Sequence, residues 1–206
     1  MKDAFLRGYR AKCFGGAPGA VRQWLANTAN VALTCLVLCS FGPTAAAPVI
    51  DAHYSLVTVD GAHVTERSYQ GKWQLIYFGF ATCTDVCSLV MQQVAGAMNE
   101  LGADAVQVQP LFITLDPAKD TPERLSSYLG QFDSRIVGLR GSQSETLKAT
   151  GDFRMYFKTR TPAGGDETID HSSFLFLLKP DGSFASLLPG NTVGHALASE
   201  LRRRLE

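Results

Sequence analysis

The 206-residue chain has little of several things. Its longest strongly apolar run, VALTCLVLCSF at 31–41, is eleven residues long. A membrane span wants about twenty, so no confident transmembrane helix is written here. Lysines and arginines number 19 and so do aspartates and glutamates, for a formal net charge of zero. A basic face for nucleic acid is therefore not expected. No internal repeat and no long single-sign tract occurs, which argues against a solenoid or a disordered chain. Only five cysteines and four histidines are available for metal or redox chemistry.

What is present is mostly one apolar body. Hydrophobic residues make up 46% of the chain, enough for a single domain with a sizeable core. The charge is unevenly placed. Residues 1–47 hold Lys2, Arg7, Arg10, Lys12 and Arg22 against Asp3 alone. That basic stretch, the apolar core at 31–41 and the following TAAAP together read as a secretory signal, with Ala45-x-Ala47 as the cleavage site. The expected division is 1–47, signal peptide or membrane anchor, and 48–206, one folded domain. Retention as an inner-membrane anchor and import into an organelle are the rival readings. In the first two cases the body is exported and faces the periplasm, free or membrane-attached.

Cys35 and Cys39 lie inside the apolar leader, where small apolar residues belong. If the leader is removed, the mature chain keeps only Cys83 and Cys87. A lone pair in an oxidising compartment closes one disulfide or binds a soft metal.

The body alternates strand and helix signals. HYSLVTVDGAHVTER reads as two short strands about Asp60-Gly61. QLIYFGF and VQVQPLFITLD read as strands buried on both faces. From Asp85 to Leu101 the apolar residues fall at helical spacing, with Gly102 as the stop. Thr121-Pro122 is a helix start, and Ser142 with Glu145 has capping-box spacing, with the helix ending at Gly151. FRMYFKT, SSFLFLLK and FASLLPG read as strands, the last two joined by the turn KPDGS. A helix from Thr192 to Leu201 runs into Arg202, Arg203 and Arg204, charges that suit a helix C-terminus. The expected fold is α/β and thioredoxin-like, a mixed central sheet flanked by helices. TRTPAGGDET, Thr159 to Thr168, is expected to be a Gly-rich functional loop.

Cys83 falls where a strand becomes a helix. Free backbone amides there favour the thiolate, the form that attacks disulfides and binds metal. Cys87 lies one turn on, so both sulfurs can share a face. Asp85 between them fits a helix N-terminal position. His53, His63 and His195 read as ordinary surface residues. His171 lies at the mouth of the strand SSFLFLL, and sheets of this kind place sites at strand ends. Alone, such a histidine is as a rule a structural hydrogen-bonding group. Beside a cysteine pair it becomes a candidate third ligand. Two thiolates and an imidazole suit Cu(I), and with a further oxygen or nitrogen donor Cu(II). Structural zinc wants a fourth protein ligand, and none of the right type is evident.

GKWQLIYFGFATCTDVC, LDPAKDTPERLSSYL and DHSSFLFLLKPDG stand in that order. In this the chain resembles the Sco/SenC family, thioredoxin-fold copper chaperones that assist cytochrome c oxidase assembly. The resemblance runs from Val57 to Leu201. It implies copper ligands at Cys83, Cys87 and His171, and a copper-bearing oxidase subunit, or another copper or thiol protein, as partner. It places Asp85 between the cysteines, and Asp116 and Asp120 in the DP-x-x-D turn. Asp120 is expected to cap the helix at Pro122, and Asp170 to orient His171 or screen charge. The family commonly has proline after each cysteine; here Thr84 and Ser88 stand in those places. The implied function is a non-enzymatic copper chaperone. The alternative is a thiol–disulfide oxidoreductase in which Cys83 attacks, Cys87 resolves and His171 is dispensable.

Overall fold

The computed structural model describes residues 50–83, 85–161 and 168–206. The expected leader, Thr84 and the middle of the Gly-rich loop lie outside the described residues. Among the described residues no helix is long and apolar enough to cross a membrane.

The chain begins with a hairpin, β1 (Ser55–Thr58) and β2 (His63–Thr65), turning on Asp60-Gly61 as the sequence predicts. Gly61 has φ +87°, a conformation L side chains rarely adopt. β3 (Trp73–Gly79) leads to α1 (Val86–Leu101), then β4 (Val108–Thr114) and α2 (Pro122–Leu129). β5 (Val137–Arg140) and α3 (Gln143–Asp152) follow. β6 (Phe157–Arg160) and β7 (Thr168–His171) pair with each other in a separate two-stranded sheet. β8 (Phe174–Leu178), β9 (Phe184–Pro189) and α4 (Gly194–Leu205) close the chain.

The main sheet has seven strands in the order β2-β1-β5-β4-β3-β8-β9. β3, β4 and β5 run parallel, while β8 and β9 add antiparallel strands beside β3. This is the mixed, thioredoxin-like α/β sheet expected. Its centre is buried on both sides because QLIYFG offers an apolar side chain to each face in turn. Leu75, Tyr77, Phe112 and Leu177 pack with α1, α2 and α4 on one face. Ile76, Phe78, Ile113 and Phe176 pack with α3 and Phe153 on the other. Phe78, Phe153 and Phe176 meet edge to face, with ring centroids 5.1 to 5.6 Å apart.

The helix ends follow the sequence signals. The Thr121 hydroxyl caps α2, accepting from the Arg124 amide at 3.2 Å, with Pro122 in the first turn. Ser142 and Glu145 form both bonds of a capping box at α3. α3 runs just past Gly151 to Asp152. α4 starts two residues after Thr192 and carries Arg202, Arg203 and Arg204 in its last turn.

His171 stands three residues before β8, at the mouth of that core strand as expected, and an unexpected element carries it. It ends β7, a short strand of its own opposite Phe157 on β6. Thr159, Arg160 and Thr168 are strand residues, so the loop is narrower than TRTPAGGDET suggests.

Candidate metal centre

β3 delivers the chain to one end of the sheet, and Phe80 to Asp85 carry it into α1. The turn before the helix is fixed by a bond from the Cys83 amide to the Phe80 carbonyl, at 3.0 Å. Asp85 takes the N-cap position of α1 as expected, with no side-chain capping bond. Neither Cys83 nor Cys87 is in a disulfide. Cys83 is partly exposed, whereas Cys87, in the first turn of α1, is fully buried.

The helix start acts on Cys83 as the sequence predicts. The Cys87 amide points at the Cys83 sulfur, 3.5 Å away. The Cys83 thiol is held well below its usual range. A hydrogen bond from the Cys87 thiol is the main cause; burial opposes it, and nearby His171 and the Cys87 amide add to it. Cys87 is pushed the other way, because it donates to Cys83 and is buried. The pair thus divides into one thiolate at the mouth and one protonated thiol beneath it.

The sign for reactivity follows. A depressed pKa means that Cys83 stays thiolate until the pH falls far below the ordinary thiol range. Its iodoacetamide alkylation rate, read by mass spectrometry, should stay flat from pH 8 to pH 6. A thiol of pKa about 8.5 would slow roughly 75-fold over that interval. Cys87 should remain unmodified throughout, and a rate that falls with the ordinary profile would contradict this division.

His171 comes in from β7. Its Nε2 lies 3.8 Å from the Cys87 sulfur. Its Nδ1 lies 3.0 Å from the Ser172 carbonyl oxygen. A carbonyl only accepts, so Nδ1 carries a proton and Nε2 is the ring nitrogen turned toward the sulfur. Phe80 and Tyr77 hold the ring by edge contacts, at centroid distances of 6.0 and 6.1 Å. Tyr77 also reaches the Cys87 sulfur, 3.9 Å from its hydroxyl, and the Ser173 hydroxyl at 3.3 Å. An open cleft of about 400 Å³ is lined by Phe80, Cys83, Asp85, Asp170, His171 and Ser173 among others. Gly79 leaves room for this packing, since a Cβ there would lie 3.1 Å from the Cys87 sulfur and 3.0 Å from the Phe112 ring.

The three candidate donors therefore gather at one rim. They are close without being drawn up. Among the described residues no group of three or more His, Cys, Asp or Glu side chains forms a ready metal cage. Cys83 lines the cleft while its sulfur is engaged by the Cys87 amide and thiol.

The other predicted residues fall differently. Asp170 ion-pairs with Arg160 across the β6–β7 hairpin, at 2.9 Å, and His171 is oriented by the Ser172 carbonyl instead. Asp116 accepts from the Lys119 amide within its own turn. Asp120 does not cap α2, a position Thr121 fills; its carboxylate is buried against Thr114 and Ala81. Ser88 stands within 3.4 Å of both the Cys83 carbonyl and the Tyr128 hydroxyl. His53, His63 and His195 are exposed and away from the cleft lining, as expected. Tyr77, Phe80 and Ser173 were not foreseen. The first two sit in the strand run before the cysteines, and the alternation of β3 is the signal that sends Tyr77 to the Cys87 side.

A thioredoxin-like domain with a cysteine pair and a histidine converging at one end of its sheet defines the class. The SCO1/SenC family model matches residues 42–206, and the chain belongs to that family. It is 37% identical to Protein sco1 of Schizosaccharomyces pombe over 157 residues, 73% of this chain and 59% of that protein. Protein SCO1, mitochondrial, of Saccharomyces cerevisiae is 37% identical over 147 residues, 70% of this chain and 50% of that protein. The chain spans about half the length of the curated relatives it matches. The solved structure of Bradyrhizobium japonicum ScoI with copper bound superposes with a TM-score of 0.69 at 34% identity, covering 75% of this chain and 98% of that one.

Proposed function

We propose that the protein is a copper-binding chaperone that serves copper-centre assembly in cytochrome c oxidase, with Cu(I) as its cargo. Cys83, Cys87 and His171 are the ligands in this reading. The observation that carries it is the 3.8 Å approach of the Cys87 sulfur and the His171 Nε2 at the rim occupied by Cys83. One ion bonded to sulfur at about 2.3 Å and to imidazole at about 2.0 Å keeps those atoms within roughly 4.3 Å of each other. The donor set is soft, as monovalent copper prefers. The relative of known structure named above was solved with copper bound.

Each side chain has a part in uptake and release. Cys83, thiolate and half-exposed, meets the incoming ion first. Cys87 then gives up its thiol proton to bind, and His171 completes the set through Nε2. Release reverses the order: Cys83 is the ligand an acceptor's thiolate can reach and replace, so transfer runs by ligand exchange. The acceptor in this reading is the copper-bearing oxidase subunit. The body is exported and faces the periplasm, with residues 1–47 as leader or anchor.

Thiol–disulfide exchange is the second reading, favoured by the split thiolate and thiol pair. His171→Ala separates the two. For a copper chaperone, Cu(I) affinity measured by chelator competition should fall more than about 10-fold while reduction of a small disulfide persists. Unchanged copper affinity in that variant would favour the reductase.

A further inference from the structure

Asp120 is fully buried, a rare place for a carboxylate. One oxygen, Oδ2, accepts two hydrogen bonds: from the Ala81 amide at 2.9 Å and from the Thr114 hydroxyl at 2.5 Å. The other, Oδ1, is buried with no hydrogen-bond partner among the described residues. Burial pushes this carboxyl above its ordinary range. As a stabilising device the arrangement is poor, because a buried unmatched oxygen costs free energy. Nor does it serve the α2 cap, which Thr121 supplies.

What it does is join two segments 39 residues apart. Ala81 lies two residues before Cys83, in the turn closed by the bond from the Cys83 amide to the Phe80 carbonyl. Two residues back, the Gly79 carbonyl accepts from the Leu115 amide at 2.7 Å. The exit of β3 is thereby tied to the segment leaving β4 at Gly79 and at Ala81. Of these two ties, the one at Ala81 is made by a side chain. Thr114 is itself fixed, its hydroxyl oxygen accepting from the Asp116 amide at 3.0 Å, so its proton is directed at Asp120. The tied turn carries both Phe80, which bears on the His171 ring, and Cys83.

We propose that Asp120 is a positioning residue of the metal site: it pins the Ala81 amide and thereby holds the Phe80–Cys83 turn in register with Cys87 and His171. It touches neither ion nor sulfur and acts through the backbone. The inference rests on the copper reading for one of its two tests and is independent of it for the other.

Asp120→Ala removes the acceptor, while Asp120→Asn keeps an oxygen for both donors. Thr114→Val removes the second donor and serves if Asp120→Ala fails to fold. Each is compared with the unchanged protein at a temperature where circular dichroism shows it folded. In the first test, Cu(I) affinity by chelator competition should fall about 10- to 100-fold in Asp120→Ala, the usual cost of losing an outer support of a metal ligand. Asp120→Asn should lie within about threefold of the unchanged protein by the same measure. In the second, metal-free test, the protein is equilibrated with glutathione. One glutathione disulfide oxidises Cys83 and Cys87 to their disulfide and leaves two glutathione thiols. A loosened turn lowers the effective concentration of one sulfur at the other, so this equilibrium constant should fall severalfold in Asp120→Ala. Thr114→Val should move both readouts in the same direction by less. Unchanged values in a folded Asp120→Ala or Thr114→Val, or Asp120→Asn as impaired as Asp120→Ala, would overturn the proposal. If the unchanged protein takes up no Cu(I), the copper reading fails and the glutathione test still decides the role of Asp120.

Discussion

Cys87→Ser should lower Cu(I) affinity by more than about 100-fold, the upper end of what losing a mere outer support of a ligand costs. The reason is geometric as well as chemical. Cys87 is the one candidate donor that is fully buried, held by α1 beneath Cys83 and beside His171. A serine hydroxyl is a hard donor that stays protonated at neutral pH, so it offers Cu(I) little. The substitution should also release the restraint on Cys83, whose thiolate depends first on the Cys87 thiol. Its alkylation profile should then shift back toward an ordinary thiol. Chelator competition measures the first effect and alkylation against pH the second. Affinity within tenfold of the unchanged protein would remove Cys87 from the ligand set.

Phe153→Ala should cost about 3–5 kcal/mol of apo-protein stability, measured by urea denaturation. Phe153 is fully buried and packs edge to face with Phe78 and Phe176, binding the end of α3 to the centre of the sheet. Truncation leaves a cavity between three elements that are each fixed by other contacts. At about 2–4 °C per kcal/mol for a domain of this size, melting should drop by roughly 10 °C. The folded variant should bind Cu(I) normally, because Phe153 lies on the sheet face opposite Cys87. A loss below about 1 kcal/mol would mean that the site collapses around the missing ring.

The contrast between these two substitutions reflects how the chain is written. The sheet and helices were legible because β3 and β4 are continuous apolar runs and α1 has a clear helical period. Thr121-Pro122 and Ser142 with Glu145 gave helix starts that the fold adopts. The cysteine pair was legible from its spacing and its place at a strand-to-helix junction. β7 was not, because TIDH has no apolar run and pairs only with a strand as short as itself. The Asp120 role was hidden for a different reason. Next to Thr121-Pro122 it reads as a cap, and only the folded chain brings Ala81 to it. Asp170 misled by adjacency: neighbouring His171 in sequence, it turns to Arg160 across the hairpin, since alternate strand residues face opposite ways.

The central claim is that two sulfurs and one imidazole nitrogen converge on a single soft ion. X-ray absorption at the copper edge, on reduced protein loaded with one equivalent of Cu(I), reads that donor set directly. The account predicts two sulfur neighbours at about 2.2–2.3 Å and one nitrogen at about 2.0 Å, with the nitrogen lost in His171→Ala. A spectrum with sulfur neighbours alone, unchanged by His171→Ala, would contradict it.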